Sequence, residues 1–282
     1  MYKIFVLSLC VFTITHTGAY EFSVDDINQI QNARNFTGKV VLTTGSSNGI
    51  GKGIAKLFAL FGAQVVIHGL NATEVSQTAV EAQELSPKKL KPLELVGDLT
   101  KTDDLIKILT KTIDAFGKLD ILVNNANYEG VLFANNDNIT QVFDDTIRKH
   151  LRSFLELTHL AAPYLEDTNG TVISTASDLS NNPHTLELAY MVSKAGVDMM
   201  TKVLAQELGP RVRVNAISPG LTHSDDYTPN NLDKQLISHT PLKRMGHPLD
   251  VAKGVIFLAS SEANFITGAN LYIDGGLVAN SH

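Results

Sequence analysis

The sequence predicts an α/β chain: a single doubly wound parallel sheet of about seven strands with helices on both faces. Three observations predict it. Short apolar, β-branched runs recur along the chain and are nearly continuous rather than alternating, as expected of strands buried on both faces. Segments of helical spacing separate them, so strand and helix alternate. No linker-like stretch and no internal repeat interrupts the order.

Residues 39–45 (KVVLTTG) are a short β-branched run ending at Thr-Gly, a strand that leads into a turn. Residues 49–62 (GIGKGIAKLFALFG) place apolar side chains at helical intervals and stop at glycine. Residues 63–69 (AQVVIHG) read as a strand and 72–85 (ATEVSQTAVEAQEL) as a helix. Residues 90–98 (LKPLELVGD) are extended. Residues 102–117 open with acids and end at glycine, the order that suits a helix dipole and its stop. Residues 119–126 (LDILVNNA) are a strand, about 139–165 a long helix, and 170–177 (GTVISTAS) a strand. Residues 188–209 form a helix, and 211–220 (RVRVNAISPG) a strand ended by Pro-Gly. Residues 247–260 form a helix with proline at its start, where the missing N–H is harmless. Residues 270–274 (NLYID) are the last strand.

The N-terminus differs from the rest. Lys3, an uncharged apolar run at 4–14 and small residues up to Ala19 read as a secretory signal peptide over 1–19. The run is too short to span a membrane comfortably, and the alternative is an N-terminal strand or buried helix. Residues 20–35 are then an extension, and 36–282 one folded domain. A used leader sends the chain to the secretory-pathway lumen or outside the cell; an unused one leaves it in the cytoplasm. Cys10, the sole cysteine, lies in the leader, so the mature chain rests on its core without disulfides. Asn35, Asn71, Asn138 and Asn169 are glycosylation sequons. The formal charge of −6 with no Lys/Arg-dense run excludes a nucleic-acid surface. No later segment is suited to stable membrane insertion, and no metal-ligand set is read.

Two local patterns carry chemistry. In TTGSSNGIGKG (43–53), Gly45, Gly49 and Gly51 join the first strand to the first helix. Such a turn brings backbone amides and a helix N-terminus against a diphosphate, where side chains would interfere. In AYMVSKAG (189–196), Tyr190 and Lys194 stand four apart, on one face of a helix. Alone, that pair is an ordinary helix surface.

Together with NNA at 124–126, Ser177 and SPG at 218–220, these patterns resemble, in order, the motifs of the short-chain dehydrogenase/reductase family. The C-terminal stretch 241–276 does so as well, and the likeness is greatest to the 3-oxoacyl-ACP-reductase-like branch. The resemblance implies an NAD(P)-binding Rossmann-type catalytic domain that interconverts a carbonyl and a secondary alcohol on a small-molecule substrate. Tyr190 would be the general acid/base. Lys194 would favour the phenolate, lowering a pKa otherwise near 10, and would hold the cofactor ribose. Ser177 would orient the substrate oxygen. Gly45, Ser47, Asn48, Gly49, Ile50, Gly51, Leu70, Asp98, Leu99, Asn124, Ala126, Tyr190, Lys194, Pro219, Gly220 and Thr222 would bind the cofactor. A homotetramer or homodimer is implied, with the helices at about 139–165 and 188–209 packed against their mates.

Three departures from the family pattern stand out. His150 occupies the place of a proton-relay asparagine; it could relay protons itself or displace the relay water. Asn127 replaces a glycine, the least costly change if positive φ is needed there. At the end of the second strand, Gly69 and Leu70 supply neither the acid of NAD users nor the arginine of NADP users, and Asn48 supplies no base in the turn. With no acid to repel a 2′-phosphate, the choice leans to NADP(H) over NAD(H). Asn71 lies beside this loop, so an enzyme should leave that sequon unmodified. The polar segment 221–242 is read as a substrate loop, and its sequence does not name a substrate. The competing function is a secreted cofactor-binding or interaction protein of this fold with little or no turnover.

Overall fold

The structure, a computed structural model, describes residues 23–127, 138–181, 188–223 and 231–278. The chain divides into two compact units, Met1–Ala33 and Arg34–His282. The expected leader lies outside the described residues. In the first unit, Val24–Gln31 form a helix (α1). Its start is a capping box: the Ser23 hydroxyl accepts from the Asp26 N–H, and the Asp26 carboxylate accepts from the Ser23 N–H. The sequence reading treated this stretch only as a polar extension, although Ser-x-x-Asp is the signal for such a start.

The second unit holds one seven-stranded sheet in the order β3-β2-β1-β4-β5-β6-β7, with every pair parallel. The strands are β1 (Val40–Thr43), β2 (Gln64–Gly69), β3 (Leu93–Val96), β4 (Ile121–Asn124), β5 (Thr171–Thr175), β6 (Arg213–Pro219) and β7 (Asn270–Ile273). Between them run α2 (Gly49–Leu60), α3 (Ala72–Leu85), α4 (Thr102–Phe116), α5 (Ile139–Ile147), α6 (Ser153–Asp167), α7 (Leu188–Glu207), α8 (Asn231–His239) and α9 (Pro248–Ala259). The doubly wound sheet expected from the sequence is therefore present.

Alternation along the strands explains the continuous apolar runs. Val41, Ile67, Val123, Ile173 and Ile217 share a buried cluster with Ile54 and Phe58 of α2 and Val251 and Val255 of α9. On the opposite face, Leu42, Val66, Leu122, Val172 and Val214 join a second cluster with Leu105 and Ile108 of α4 and Leu157 and Leu165 of α6. With helices over both faces, neither set of alternate residues can be polar. Strand order reverses between β1 and β4, and the crevice at the carboxyl ends of these strands is where ligands bind in such sheets.

Two regions differ from expectation. The single helix expected at about 139–165 is α5 and α6 joined by a π turn, Arg148–Arg152. Helical periodicity does not reveal one inserted residue. The polar segment after β6 contains α8, a short helix that polarity hid. Among the described residues, no helix is long and apolar enough to cross a membrane, and no His/Cys/Asp/Glu cluster could hold a metal ion.

Phe58 is fully buried, and its ring meets Phe36 edge-on at 5.0 Å and 83°. Phe58→Ala removes that contact and leaves a cavity under β1. We expect a loss of about 3–5 kcal/mol, measured as a lower urea midpoint at unchanged m.

Candidate active site

The turn after β1 is held from two sides. On the β4 side, the Asn125 amide donates to the Thr44 and Gly45 carbonyls, both at 3.1 Å. The Thr44 hydroxyl accepts the N–H groups of Asn125 (3.0 Å) and Ala126 (3.2 Å). Gly45 has φ +61°, and a Cβ there would come within 2.7 Å of the Ala126 Cα. A Cβ on Gly51 would overlap the Gly45 carbonyl oxygen. These two glycines are thus required by the close approach of three backbone segments.

On the β2 side stands His68, which the sequence reading did not single out. It is 2% exposed. Its Nδ1 accepts the Gly45 N–H at 3.2 Å, so Nε2 carries the proton and donates to the Gly97 carbonyl at 3.1 Å. Its backbone N–H donates to the Ser46 hydroxyl at 2.9 Å, and that hydroxyl donates to the Thr43 carbonyl at 2.8 Å. Burial pushes the imidazole down to about 4. A histidine in an apolar strand carries no pattern that would mark this role.

The fit to a dinucleotide diphosphate can be judged at α2. Its N-cap, Asn48, makes no side-chain cap bond, and its first turn holds no acid. The first-turn amides of Gly49, Ile50 and Gly51 therefore lack a side-chain cap, as an anion site at a helix N-terminus requires. Ser47 and Asn48 instead direct their side chains to Glu74, at 3.2 and 3.4 Å. The residues present fit the group.

Beyond the turn, Leu70 is 69% exposed at the end of β2. Asp98 follows β3, and its carboxylate accepts from the Thr100 N–H and hydroxyl. Leu99 is buried in the second core cluster. The Asn124 side chain is fully buried and donates to the Thr158 and Ser174 hydroxyls at 2.9 and 3.4 Å. Only its main chain stands at the strand end, which narrows the expected cofactor role. Ala126 is half-buried beside Gly45. Asn127 is exposed and lacks positive φ, so the family glycine's conformational freedom is not needed there. Pro219 ends β6. The Gly220 N–H donates to the Ile273 carbonyl at 3.1 Å, and the Thr222 hydroxyl donates to the Gly220 carbonyl at 2.8 Å.

The dyad lies on α7. Lys194 is fully buried, and its Nζ donates to the Thr175 carbonyl at the end of β5 at 2.8 Å. It stands 5.5 Å from the centre of the Tyr190 ring and 5.4 Å from that of Phe154. Burial pushes the amine down to about 7. Tyr190 is half-buried, and the His150 ring meets it edge-on at 5.6 Å and 88°. His150 itself is buried in the π turn, with Nδ1 3.4 Å from the Ser193 hydroxyl. Single π turns of this kind recur at functional sites.

Ser177 follows β5 and caps the short turn Asp178–Ser180, against which α7 packs. Its hydroxyl accepts the Leu179 N–H at 3.2 Å and donates to the Asp178 carboxylate at 3.1 Å. Burial pushes Asp178 up to about 6 against this hydrogen bond, and the Asp274 carboxylate adds to the rise. Asp178 was likewise absent from the sequence-based site.

His68 should give stability a pH signature. Its folded value lies below its unfolded one, so between pH 6.5 and about 4 the unfolded chain binds the extra proton. Stability present at neutral pH is lost as pH falls through that window, by about 3 kcal/mol. Urea unfolding from pH 7 to 4 should show that slope in the wild type and a shallower one in His68→Gln.

The chain matches, over residues 45–278, the family described as enoyl-(acyl carrier protein) reductase. It is 34% identical over 247 residues to the 3-oxoacyl-(acyl carrier protein) reductase FabG of Thermotoga maritima, covering 86% of this chain and 98% of that protein. It is 33% identical over 245 residues to the 7α-hydroxysteroid dehydrogenase of Escherichia coli K12, covering 85% and 94%. Among solved structures, a 7α-hydroxysteroid dehydrogenase complexed with NADH and 7-oxo glycochenodeoxycholic acid superposes with a TM-score of 0.82 at 30% identity, covering 87% of this chain and 96% of that one. A seven-stranded parallel sheet, a glycine turn at its switch point, a Tyr-Lys pair on the following layer of helices and these likenesses agree: the chain belongs to the short-chain dehydrogenase/reductase family of NAD(P)-dependent oxidoreductases, near its 3-oxoacyl-ACP-reductase-like branch.

Proposed function

We propose that the chain interconverts a carbonyl and a secondary alcohol, with Tyr190 as general acid/base assisted by Lys194 and Ser177. The observation that carries this reading is the buried Lys194, one helical turn from Tyr190 and anchored to the Thr175 carbonyl. A lysine taken wholly out of water is costly unless its charge has work to do. When bound, a nicotinamide dinucleotide supplies or accepts the hydride. Tyr190 gives its phenolic proton to the developing alkoxide in reduction and takes it back in oxidation. The Lys194 ammonium near the ring lowers the cost of the phenolate. Because burial holds Lys194 at about 7, its charge changes near neutral pH and couples to that of Tyr190. Ser177, fixed by Leu179 and Asp178, faces the substrate oxygen.

His150 replaces the relay side chain, and its imidazole lies between Tyr190 and Ser193. We assign it proton transfer from the dyad. For the cofactor, we favour NAD(H) over the NADP(H) that the bare end of β2 suggests, because the Glu74 carboxylate lies between the glycine turn and the loop after β2. Assembly with further copies is part of the same reading: Leu155 on α6 and Met199 and Val203 on α7 expose apolar side chains on helices expected to meet their mates. So is secretion, supported by the leader and by the exposure of all four sequons. In that compartment Asn71 should remain unmodified, since its side chain is engaged in capping α3.

A second reading keeps the fold and the cofactor site with little turnover; the imidazole packed against Tyr190 favours it. The two separate by experiment. The chain has no tryptophan, so fluorescence of a bound dihydronicotinamide is read against a low background. Tyr190→Phe should leave that binding intact while turnover on a carbonyl panel falls about 10²–10⁴-fold. Binding without turnover, unchanged by the substitution, would select the second reading. His150→Phe keeps a ring but removes both nitrogens, and should lower turnover about 10²-fold with cofactor binding preserved. Unchanged turnover would remove His150 from the relay.

A further inference from the structure

Glu74 occupies a position that no motif singles out. It lies in the first turn of α3, four residues beyond Leu70. Its carboxylate gathers donors from two separate loops. One oxygen accepts from the Ser47 hydroxyl at 3.2 Å and the Asn48 amide at 3.4 Å, both in the glycine turn. The other accepts from the Asn71 amide at 3.2 Å, in the loop after β2. Asn71 also caps α3 through its Oδ1, which accepts the Thr73 and Glu74 N–H groups at 2.9 and 3.4 Å. Glu74 is thereby held at both its main chain and its carboxylate. Gly69 makes the junction possible: a Cβ there would meet the Ser47 hydroxyl at 2.6 Å.

These two loops flank the adenosine ribose of a dinucleotide whose diphosphate rests on the N-terminus of α2. We propose that Glu74 is the cofactor-selecting residue, accepting a hydroxyl of an unsubstituted adenosine ribose and opposing a 2′-phosphate, so that the chain uses NAD(H). This rests on the oxidoreductase reading above. An ionised carboxylate has about four lone-pair sites, of which three are engaged here, and it has no donor to offer. A ribose diol brings donors. A 2′-phosphate brings more negative charge and acceptors only, so one site attracts the first ligand and repels the second. Compensating cations are committed elsewhere: Lys52 and Lys56, the lysines of α2, pair with Glu81 at 3.0 and 2.7 Å. Leu70, where an arginine would reach a phosphate, is apolar and exposed. The acid expected at the end of the strand is thus supplied from the helix that follows it.

The test is calorimetric titration of the purified protein with ADP-ribose and 2′-phospho-ADP-ribose, repeated with NADH and NADPH. The fragments lack the nicotinamide and report the ribose site without turnover. The unphosphorylated member of each pair should bind at least about ten-fold tighter, a difference of about 1.4 kcal/mol. That ratio should shrink as salt is raised, because screening weakens the repulsion. Glu74→Gln, similar in shape but uncharged, should bring the ratio to within about three-fold of unity by strengthening the phosphorylated ligands, at an unchanged Tm. Equal or tighter binding of the phosphorylated ligands by the wild type would overturn the proposal. So would a folded Glu74→Gln protein with an unchanged ratio. If that variant does not fold, the wild-type ratio and its salt dependence decide. Binding of neither NADH nor NADPH would overturn the oxidoreductase reading with it, whereas equal binding of both defeats the role of Glu74 alone.

Discussion

The turn between β1 and α2 keeps its shape because side chains from two other strands grip its backbone from opposite sides. Asn125 and Thr44 lace it to the end of β4, and His68 takes the Gly45 N–H from β2. A turn with positive φ at Gly45 and Gly49 would otherwise have many conformations to choose from. Gripping it consumes several polar groups that would be costly to bury unpaired. In return, the first turn of α2 points its amides into the crevice where strand order reverses. The rest of the site is arranged around that crevice, and its distances have meaning only while the turn is held.

The Tyr190–Lys194 end uses the opposite device, a charge held almost out of water. The Lys194 amine reaches through the packing of α7 to a carbonyl at the end of β5, beside two aromatic rings. Burial brings it down to about 7, while burial brings nearby Asp178 up to about 6. A buried amine and a buried acid are both drawn toward neutrality by the same desolvation. Groups that titrate close to the working pH can exchange protons at little cost, which suits the proposed acid/base role. His150 adds a ring against Tyr190, and its placement depends on the π turn, since one extra residue redirects the helix face.

The end of β2 shows how a carboxylate can arrive from an unexpected element. Residues 69–71 carry no acid or base beyond the strand, and the sequence alone therefore leans to NADP(H). The carboxylate of Glu74 folds back across that gap because Asn71 caps α3 and turns its first side chains toward the glycine turn. A helix cap and the proposed specificity element are thus one local arrangement, and that links the sequon at Asn71 to the same cluster.

Much of the molecule was legible in the residues themselves. Paired apolar faces on every central strand, glycines at helix stops and a proline at the start of α9 follow from backbone sterics and burial, which act over a few residues. Gly45, Ser177, Tyr190 and Lys194 stood out in the sequence because their order along the chain resembles the motifs of the family. Contacts across large sequence separations were not. His68 sits 23 residues from Gly45, Glu74 sits 27 from Ser47, and the Asn124 amide turns inward to a threonine 34 residues away. The π turn at His150 and the short helix α8 were hidden for a related reason: an inserted residue and a polar helix leave the apolar periodicity nearly unchanged. By itself the sequence determined the sheet and its helices, because local burial and spacing suffice for these, and the order of its motifs pointed to the family. Only the tertiary structure decided which polar side chains hold the turn, which acid reaches the glycine turn and where Lys194 loses its water, because each depends on which distant segments packing brings together.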